Sequence, residues 1–291
     1  RGNPGGYLTA AIDISDEFLK EGDLIVYTEG RSRPKNSSHA TRQGDFEKGG
    51  LVILIDEGSA SASEIVAGAV QDNDRGTVIG RRSFGKGLVQ EQADLPDGSA
   101  VRLTIARYYT PTGRCIQRPY SGSEDYYAEL YHRYENGELY EEDSIAVNEE
   151  DRFVTPKGKV VYGGGGIMPD VFVPLDTSDY STYHNQLISS GTLREFALEL
   201  ASKHQGKLKE FGSPKTYKKR FSISNKEFEQ LIAFAESKDV SAESEEIQNA
   251  RNSIEKNLRA FIARSEWNGE GYYPIINSDD KAIEAALERL R

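Results

Sequence analysis

The spacing of apolar residues in the first third of the chain predicts short strands that alternate with helices. Leu51–Ile55 is an unbroken apolar run, typical of a strand buried on both faces, and the following residues 64–71 predict a helix. Residues 8–19 keep helical spacing, with Gly22 as the stop signal. Further strands are predicted at 23–28, 76–80 and 101–105, the last with the alternation of a half-buried strand. Repeated strand and helix crossovers of this kind favour an α/β fold with a mainly parallel sheet.

The second half of the chain follows a different pattern. Residues 119–160 are rich in tyrosine and acidic residues and predict an insertion with short helices, and the glycines at 163–166 predict a turn before a strand at 171–173. From about residue 178 the apolar positions repeat at helical spacing to the end of the chain. We therefore expect a core over residues 1–177 and a helical C-terminal region over residues 178–291.

A serine-rich segment joins the predicted buried strand to the predicted helix. It reads Glu57-Gly58-Ser59-Ala60-Ser61-Ala62-Ser63-Glu64. Closely spaced serines before a helix are usually N-caps, and Ser61 and Glu64 have capping-box spacing. The same position suits a nucleophile, because the unpaired amides and the positive end of the helix dipole stabilise negative charge, as a tetrahedral oxyanion requires. The local sequence alone favours capping.

A lysine flanked by glycines follows in the segment Ser83-Phe84-Gly85-Lys86-Gly87-Leu88-Val89-Gln90. Lysine acts as a general base only in its neutral form, which burial favours, and the apolar neighbours of Lys86 could dock into the core. The usual alternative is an exposed loop cation.

Two other catalytic arrangements are disfavoured by the sequence. Ser83 and Lys86 match the S-x-x-K signature of penicillin-interacting enzymes, but the neighbouring glycines disfavour the helix that this motif needs, and no partner motif follows. A Ser-His-Asp triad would need one of the four histidines, which lie in polar or tyrosine-rich stretches typical of surface histidines. They are His39, His132, His184 and His204.

Four segments resemble, in order, the successive motifs of one protease family. They are Arg1–Gly6, Gly58–Glu64, Phe84–Gln90 and Gly165–Asp170. The chain resembles the catalytic domain of the carboxyl-terminal processing proteases, which are serine peptidases with a Ser-Lys dyad, over roughly residues 1–175. The resemblance implies a crotonase- and ClpP-like ββα superhelical core, with the C-terminal helices as an appendage.

The resemblance also implies roles for individual residues. Ser61 would be the nucleophile, Lys86 the general base, and Gln90 the residue that orients the lysine, since positions four apart share a face in a helix or a strand. The backbone amides of Ala62 and Gly6 would form the oxyanion hole. The implied reaction is hydrolysis of a peptide bond through an acyl-enzyme, with neither a metal nor an organic cofactor. The alternative is a catalytically silent peptide-binding or scaffolding relative on the same fold.

Composition narrows the choice of partners. The chain of 291 residues has a formal net charge of −11 and a single cysteine, Cys115, so nucleic-acid binding is disfavoured and no internal disulfide can form. We expect protein or peptide substrates. The helical region is a candidate either for covering the active site or for forming a homo-oligomer. In the family the first motif lies downstream of a PDZ domain and often of an export signal. The resemblance therefore implies a fragment of a periplasmic or otherwise exported, envelope-associated protein, with a PDZ domain in the missing N-terminal part.

Overall fold

The computed structural model describes residues 1–41, 44–120, 123–177 and 181–291, and for residues 123–127 it describes the backbone alone. The chain divides into two compact units. The first comprises Arg1–Leu175 together with Lys281–Arg291, and the second comprises Asp176–Asp280. The boundary predicted at residue 178 lies outside the described residues.

Strands and helices alternate through the first unit. Its helices before residue 176 are α1 (Leu8–Asp16), α2 (Ala62–Asp72) and α3 (Ser123–Glu135), with short 3-10 helices at Glu142–Ser144 and Glu149–Asp151. Its strands are β1 (Leu24–Gly30), β2 (Arg33–His39), β3 (Val52–Ile55), β4 (Thr77–Gly80), β5 (Leu88–Asp94), β6 (Ala100–Tyr109), β7 (Arg152–Val154), β8 (Val160–Tyr162) and β9 (Val171–Phe172). The helices and strands predicted for residues 8–105, and the strand at 171–173, are confirmed with shifts of a few residues at their ends.

The strands of the first unit form separate sheets of opposite character. A three-stranded sheet in the order β3-β4-β9 is parallel, whereas the four-stranded sheet in the order β2-β1-β6-β5 is antiparallel, as is the β7-β8 pair. The α/β class is confirmed, but the prediction of a mainly parallel sheet was wrong for the larger sheet. Residues 31–32 and 95–99 are too few for a crossover, and connections this short join antiparallel neighbours.

The outer half of the β5-β6 hairpin is exposed on both of its faces. The alternation at 101–105 predicted a half-buried strand, yet Val101 and Leu103 are 40% and 55% exposed. The reason is the register: β6 pairs with β1 only at residues 107–109, so residues 100–105 extend past the rest of the sheet with β5 alone as their neighbour. The strand is confirmed and its predicted burial was wrong.

The core of the first unit lies around α2 and the parallel sheet. Ile65 and Ala67 of α2 are buried with Ile55 and Val78 of the sheet. Near the other end of the chain, helix α10 (Lys281–Arg289) packs Ala282 and Ala286 against the parallel strands. The chain therefore returns to the first unit after the helical region, and its last helix packs on strands β3 and β4.

The second unit consists of helices packed around their own apolar core. They are α4 (Thr182–Ser189), α5 (Thr192–Lys203), α6 (Gln205–Glu210), α7 (Pro214–Arg220), α8 (Asn225–Glu236) and α9 (Ser244–Ile276). Helix α9 is broken by the non-helical backbone of Trp267 and Asn268. Across the described residues of the whole chain, no helix has the length and apolar character that crossing a membrane requires.

Candidate active site

Ser61 lies at the junction between β3 and α2, where the chain turns from the parallel sheet into the helix. Its backbone has φ 57° and ψ −117°, a conformation that residues other than glycine rarely adopt. Such backbone strain costs on the order of 1–3 kcal/mol and persists only where the surrounding structure enforces it. The contacts around Ser61 therefore have to supply this constraint.

Glu64 supplies several of these contacts from the first turn of α2, where it is completely buried. Its Oε2 accepts hydrogen bonds from the amides of Ser61 at 2.7 Å and Lys86 at 2.9 Å. Its Oε1 accepts from the Gly85 amide at 2.7 Å and the Ser83 hydroxyl at 2.5 Å. Burial raises the pKa of the Glu64 carboxyl, while these hydrogen bonds oppose the rise. One carboxylate thus joins the backbone of Ser61 to that of Lys86.

Tyr108 of β6 makes a second link between the same two residues. Its buried side chain donates from the hydroxyl to the carbonyl oxygen of Ser61 at 3.0 Å and also contacts the carbonyl oxygen of Lys86. Because Tyr108 belongs to the antiparallel sheet, this link fixes the serine turn relative to a strand that is distant in sequence. The Ser61 and Lys86 backbones are therefore held together from both sides.

The loop that carries Lys86 is also held from α3. The buried guanidinium of Arg133 donates to the Ser83 carbonyl oxygen at 2.8 Å and pairs with Glu129 of the same helix at 2.6 Å. At the next residue along the loop, the Gly87 amide donates to Gln117 Oε1 at 2.9 Å. The predicted insertion therefore packs behind this loop through charged side chains, whereas its tyrosines at 120, 131 and 134 are more than half exposed.

The turn at Asn3–Gly6 packs directly on the serine. The carbonyl oxygen of Asn3 accepts from the Ala60 amide at 3.0 Å, and its side chain accepts from the Gly5 amide at 3.0 Å. Gly5 has φ +97°, and a Cβ at this position would lie 2.5 Å from the Ala60 carbonyl oxygen and 2.9 Å from Ser61 Cβ, so only glycine is accommodated. This contact lets the turn approach the start of α2.

Two amides near Ser61 are unpaired within the described part of the chain. Ala62 is the first residue of α2, where an amide has no intrahelical acceptor. Gly6 follows Gly5, whose own amide is already bonded to Asn3, and no described hydrogen bond uses the Gly6 amide. These are the two amides that the family resemblance implies for an oxyanion hole, and their role stays a prediction.

A cavity of about 400 Å³ brings all five predicted site residues together. They are Ser61, Ala62, Lys86, Gln90 and Gly6. Lys86 is partly buried and Gln90 is exposed at the start of the hairpin. The remaining lining residues are Tyr7, Leu8, Ile65, Leu88, Val89, Gln92, Arg102 and Tyr108. A hydroxyl, an amine and two unpaired amides in one open cavity are the components of acyl transfer by a serine.

Among the described residues, Ser83 and the histidines of the two disfavoured catalytic arrangements do not line this cavity. Ser83 is completely buried, donates to Glu64 and accepts from the Ile167 amide at 2.6 Å, so its hydroxyl is not presented to the cavity. Neither a histidine nor Cys115 is among the described residues that line the cavity, and burial raises the pKa of the Cys115 thiol. Within the described ranges, no group of three or more His, Cys, Asp or Glu residues is arranged to hold a metal ion.

Sequence reasoning missed the residues that support the site. Glu64 was recognised only as part of a capping box, and the box spacing does place its carboxylate on the Ser61 amide. Tyr108, Gln117 and Arg133 carry no local signal, because each acts on a segment more than twenty residues away. The strand alternation also gave no signal for Tyr108, because this residue lies on the face of Arg102 and Thr104, opposite the apolar face of Val101 and Leu103.

Two parts of the chain match known protein families. Residues 1–124 match peptidase family S41, and residues 183–268 match a family of unknown function, DUF8443. The carboxy-terminal-processing protease of Bartonella bacilliformis is 50% identical over 116 residues, which cover 40% of this chain and 26% of that protein. The corresponding protease of Synechocystis sp. is 47% identical over 118 residues, covering 40% and 27%. The chain thus spans about a quarter of the length of these relatives.

A solved structure of the photosystem II D1 C-terminal processing protease is also similar, with 29% identity and a TM-score of 0.42, over 60% of this chain and 33% of that one. The matched segment includes Ser61, Glu64 and Lys86. Residues 1–124 therefore match peptidase family S41 and are similar to carboxyl-terminal processing proteases, which confirms the resemblance found in the motifs.

Proposed function

We propose that this chain is the catalytic part of a serine endopeptidase in which Ser61 is the nucleophile and Lys86 the general base. The observation that carries the proposal is the shared cavity: both side chains line it, and their backbones are tied to each other through Glu64 and Tyr108. Shared backbone partners of this kind support the proposal that the two residues act as a unit.

The proposed reaction uses the groups that line the cavity. Neutral Lys86 accepts the proton of the Ser61 hydroxyl, and the oxygen attacks the peptide carbonyl. The amides of Ala62 and Gly6 donate to the oxyanion of the tetrahedral intermediate, the leaving amine takes the proton, and water then hydrolyses the acyl-enzyme. Gln90 orients the lysine amine from the start of β5. None of these steps needs a metal ion or an organic cofactor.

The substrates proposed are exported or envelope proteins, cleaved near their C-termini. The support is the printed function of the relatives, which are carboxyl-terminal processing proteases of bacteria and chloroplasts. We further propose the crotonase-like superhelix as the fold of the core, a PDZ domain in the remainder of the protein and an exported location. Finally, we propose that the chain forms a homo-oligomer through its helical unit.

A serine-reactive probe tests the assignment of the nucleophile. A fluorophosphonate forms a bond from phosphorus to Oγ and releases fluoride only at an activated serine. Fragment mass spectrometry of the intact protein is expected to place the label on Ser61, and Ser61→Ala to abolish it. Ser63→Ala is the matched control and retains the label. A label on another serine, or no label in a protein that cleaves peptide, contradicts the assignment.

Glu64→Gln is expected to lower kcat about 10²-fold with little change in KM. The carboxylate accepts hydrogen bonds from four groups, and the NH₂ group of glutamine would face two of these donors. The resulting displacement of the Ser61 and Lys86 backbones by about 1 Å has an effect of that size on catalysis. Burial raises the pKa of the Glu64 carboxyl. As the pH falls through this raised pKa, protonation removes one of the hydrogen-bond acceptors, and we expect the activity of the wild-type protein to fall. The variant resembles the protonated form and lacks this acid limb.

The free energy of unfolding, measured as a function of pH, distinguishes a specific loss of activity in Glu64→Gln from loss of the folded state. Because the pKa is raised in the folded state, the folded protein binds the proton more tightly than the unfolded chain, and the unfolding free energy falls as the pH rises from the ordinary glutamate value to the raised one. The Glu64→Gln variant lacks this pH-dependent decrease, because glutamine does not titrate. The missing decrease offsets part of the stability that the variant loses through weaker hydrogen bonds. The exposed Glu21→Gln is the control. A variant with full activity, or one that is unfolded at all pH values, contradicts the positioning role.

A further inference from the structure

The cavity that holds Ser61 has a charge opposite to that of the whole chain. The chain has 47 acidic and 36 basic residues, yet the described residues that line the cavity include Lys86 and Arg102 and neither Asp nor Glu. In the proposed reaction Lys86 acts in its neutral form, so Arg102 supplies the permanent charge. A cleft lined by one sign of charge concentrates ligands of the other sign.

Arg102 also differs from several other arginines of the first unit in what it contacts. Arg82, Arg114, Arg118 and Arg133 are buried or nearly so and form ion pairs, and Arg33 on the same sheet pairs with Glu91. Arg102 is exposed, pairs with no carboxylate among the described residues, and makes one long hydrogen bond of 3.4 Å to Gln92 Oε1. Its guanidinium therefore keeps most of its donors available to a ligand in the cavity.

The strand register fixes how far Arg102 lies from the reacting atoms. Arg102 is directly opposite Gln92 on β5, and both line the cavity. Arg102 and Tyr108 lie on the same face of β6, six residues apart, which corresponds to about 20 Å along the strand. Tyr108 contacts the Ser61 carbonyl, so the cavity runs along this face from the serine to Arg102. An extended peptide covers that distance in about six residues.

From these observations we infer that Arg102 forms a specificity subsite that binds a carboxylate of the substrate about four to six residues from the scissile bond. The guanidinium matches a carboxylate in bidentate geometry. The carboxylate comes either from an acidic side chain or from the C-terminal residue of the substrate. The inference rests on the proposed function, because it places the substrate along the cavity that begins at Ser61.

Paired peptides test the subsite and separate the two sources of carboxylate. One pair differs by Glu against Gln at four to six residues from the cleaved bond, and the other pair, without acidic side chains, differs by a free or amidated C-terminus at that distance. For at least one pair, wild-type protein is expected to show a KM about tenfold lower for the carboxylate member, with kcat unchanged. The preference is expected to shrink as salt is raised.

Variants identify the residue responsible. Arg102→Gln is expected to remove the preference, Arg102→Lys to retain part of it, and Arg102→Glu to reverse it in favour of a lysine-containing peptide. Arg33→Gln, an arginine of the same sheet that does not line the cavity, is expected to keep the wild-type preference. A wild-type protein indifferent to both kinds of carboxylate, or an Arg102→Gln variant that keeps the preference, would overturn the inference.

Binding measured without cleavage distinguishes failure of this inference from failure of the proposed function. The Ser61→Ala variant is titrated with the same peptides, and the same difference is expected in Kd. A preference in Kd together with undiminished cleavage by Ser61→Ala would refute the proposed nucleophile and leave the subsite standing. Cleavage that depends on Ser61 but shows no preference in KM or Kd would refute the subsite alone.

Discussion

Ser61→Ala and Lys86→Ala are each expected to lower the rate of peptide cleavage about 10⁴-fold or more, and the double variant is expected to be no slower than either single variant. The physical reason is that nucleophile and base form one unit. Without the base the serine hydroxyl is a weak nucleophile, and without the hydroxyl the base has no proton to accept. The contacts of Glu64 and Tyr108 with both backbones support this coupling.

The measurement is kcat and KM on an unfolded protein substrate and on a short peptide, with the intact protein. Lys48→Ala, at an exposed lysine of the same unit, is the matched control and is expected to cleave at the wild-type rate. If Ser61→Ala and Lys86→Ala each had small effects that multiplied in the double variant, the two residues would act independently and the dyad would be rejected. A silent peptide-binding protein would be unaffected by either change.

The local part of the site could be predicted from the sequence because its signals are short-range. An apolar run, a small-residue turn and a helical pattern within twenty residues define where Ser61 lies, and the glycines around Lys86 mark an irregular segment. The antiparallel sheet was not predicted, since the exposed β2 and the outer half of β6 have few core-facing residues to reveal their partners. Pairing of such strands is decided by turn length and register.

Long-range contacts explain why the support of the site could not be predicted. The positive φ of Ser61 is maintained by Gly5 on one side and by Tyr108 on another, residues that lie 56 and 47 positions away along the chain. The sequence of one chain does not indicate which residues that are distant along it will be in contact. The strained turn at Ser61 therefore depends on contacts that the local sequence pattern does not contain.

The largest effect on stability is expected at the opposite end of α2, where Arg114→Met should lower the free energy of unfolding by about 3–5 kcal/mol. Arg114 and Asp72 are both completely buried and pair at 2.7 Å. The guanidinium also donates to Gln71 Oε1 at 2.6 Å and to the Tyr162 carbonyl oxygen at 2.8 Å, so one side chain joins α2 to β8. Removing it leaves the Asp72 carboxylate buried without a counter-charge.

Urea-induced unfolding, with amide hydrogen exchange in α2 to assign the transition to the first unit, measures this cost. Arg33→Met removes a pair whose side chains are 53% and 55% exposed and is expected to change the free energy of unfolding by no more than about 1 kcal/mol. The double variant Arg114→Met with Asp72→Asn is expected to be less destabilised than Arg114→Met alone, because no buried charge is then left unpaired. Equal effects of Arg114→Met and Arg33→Met would show that the buried pair does not hold α2, whose first residues carry the candidate oxyanion amide.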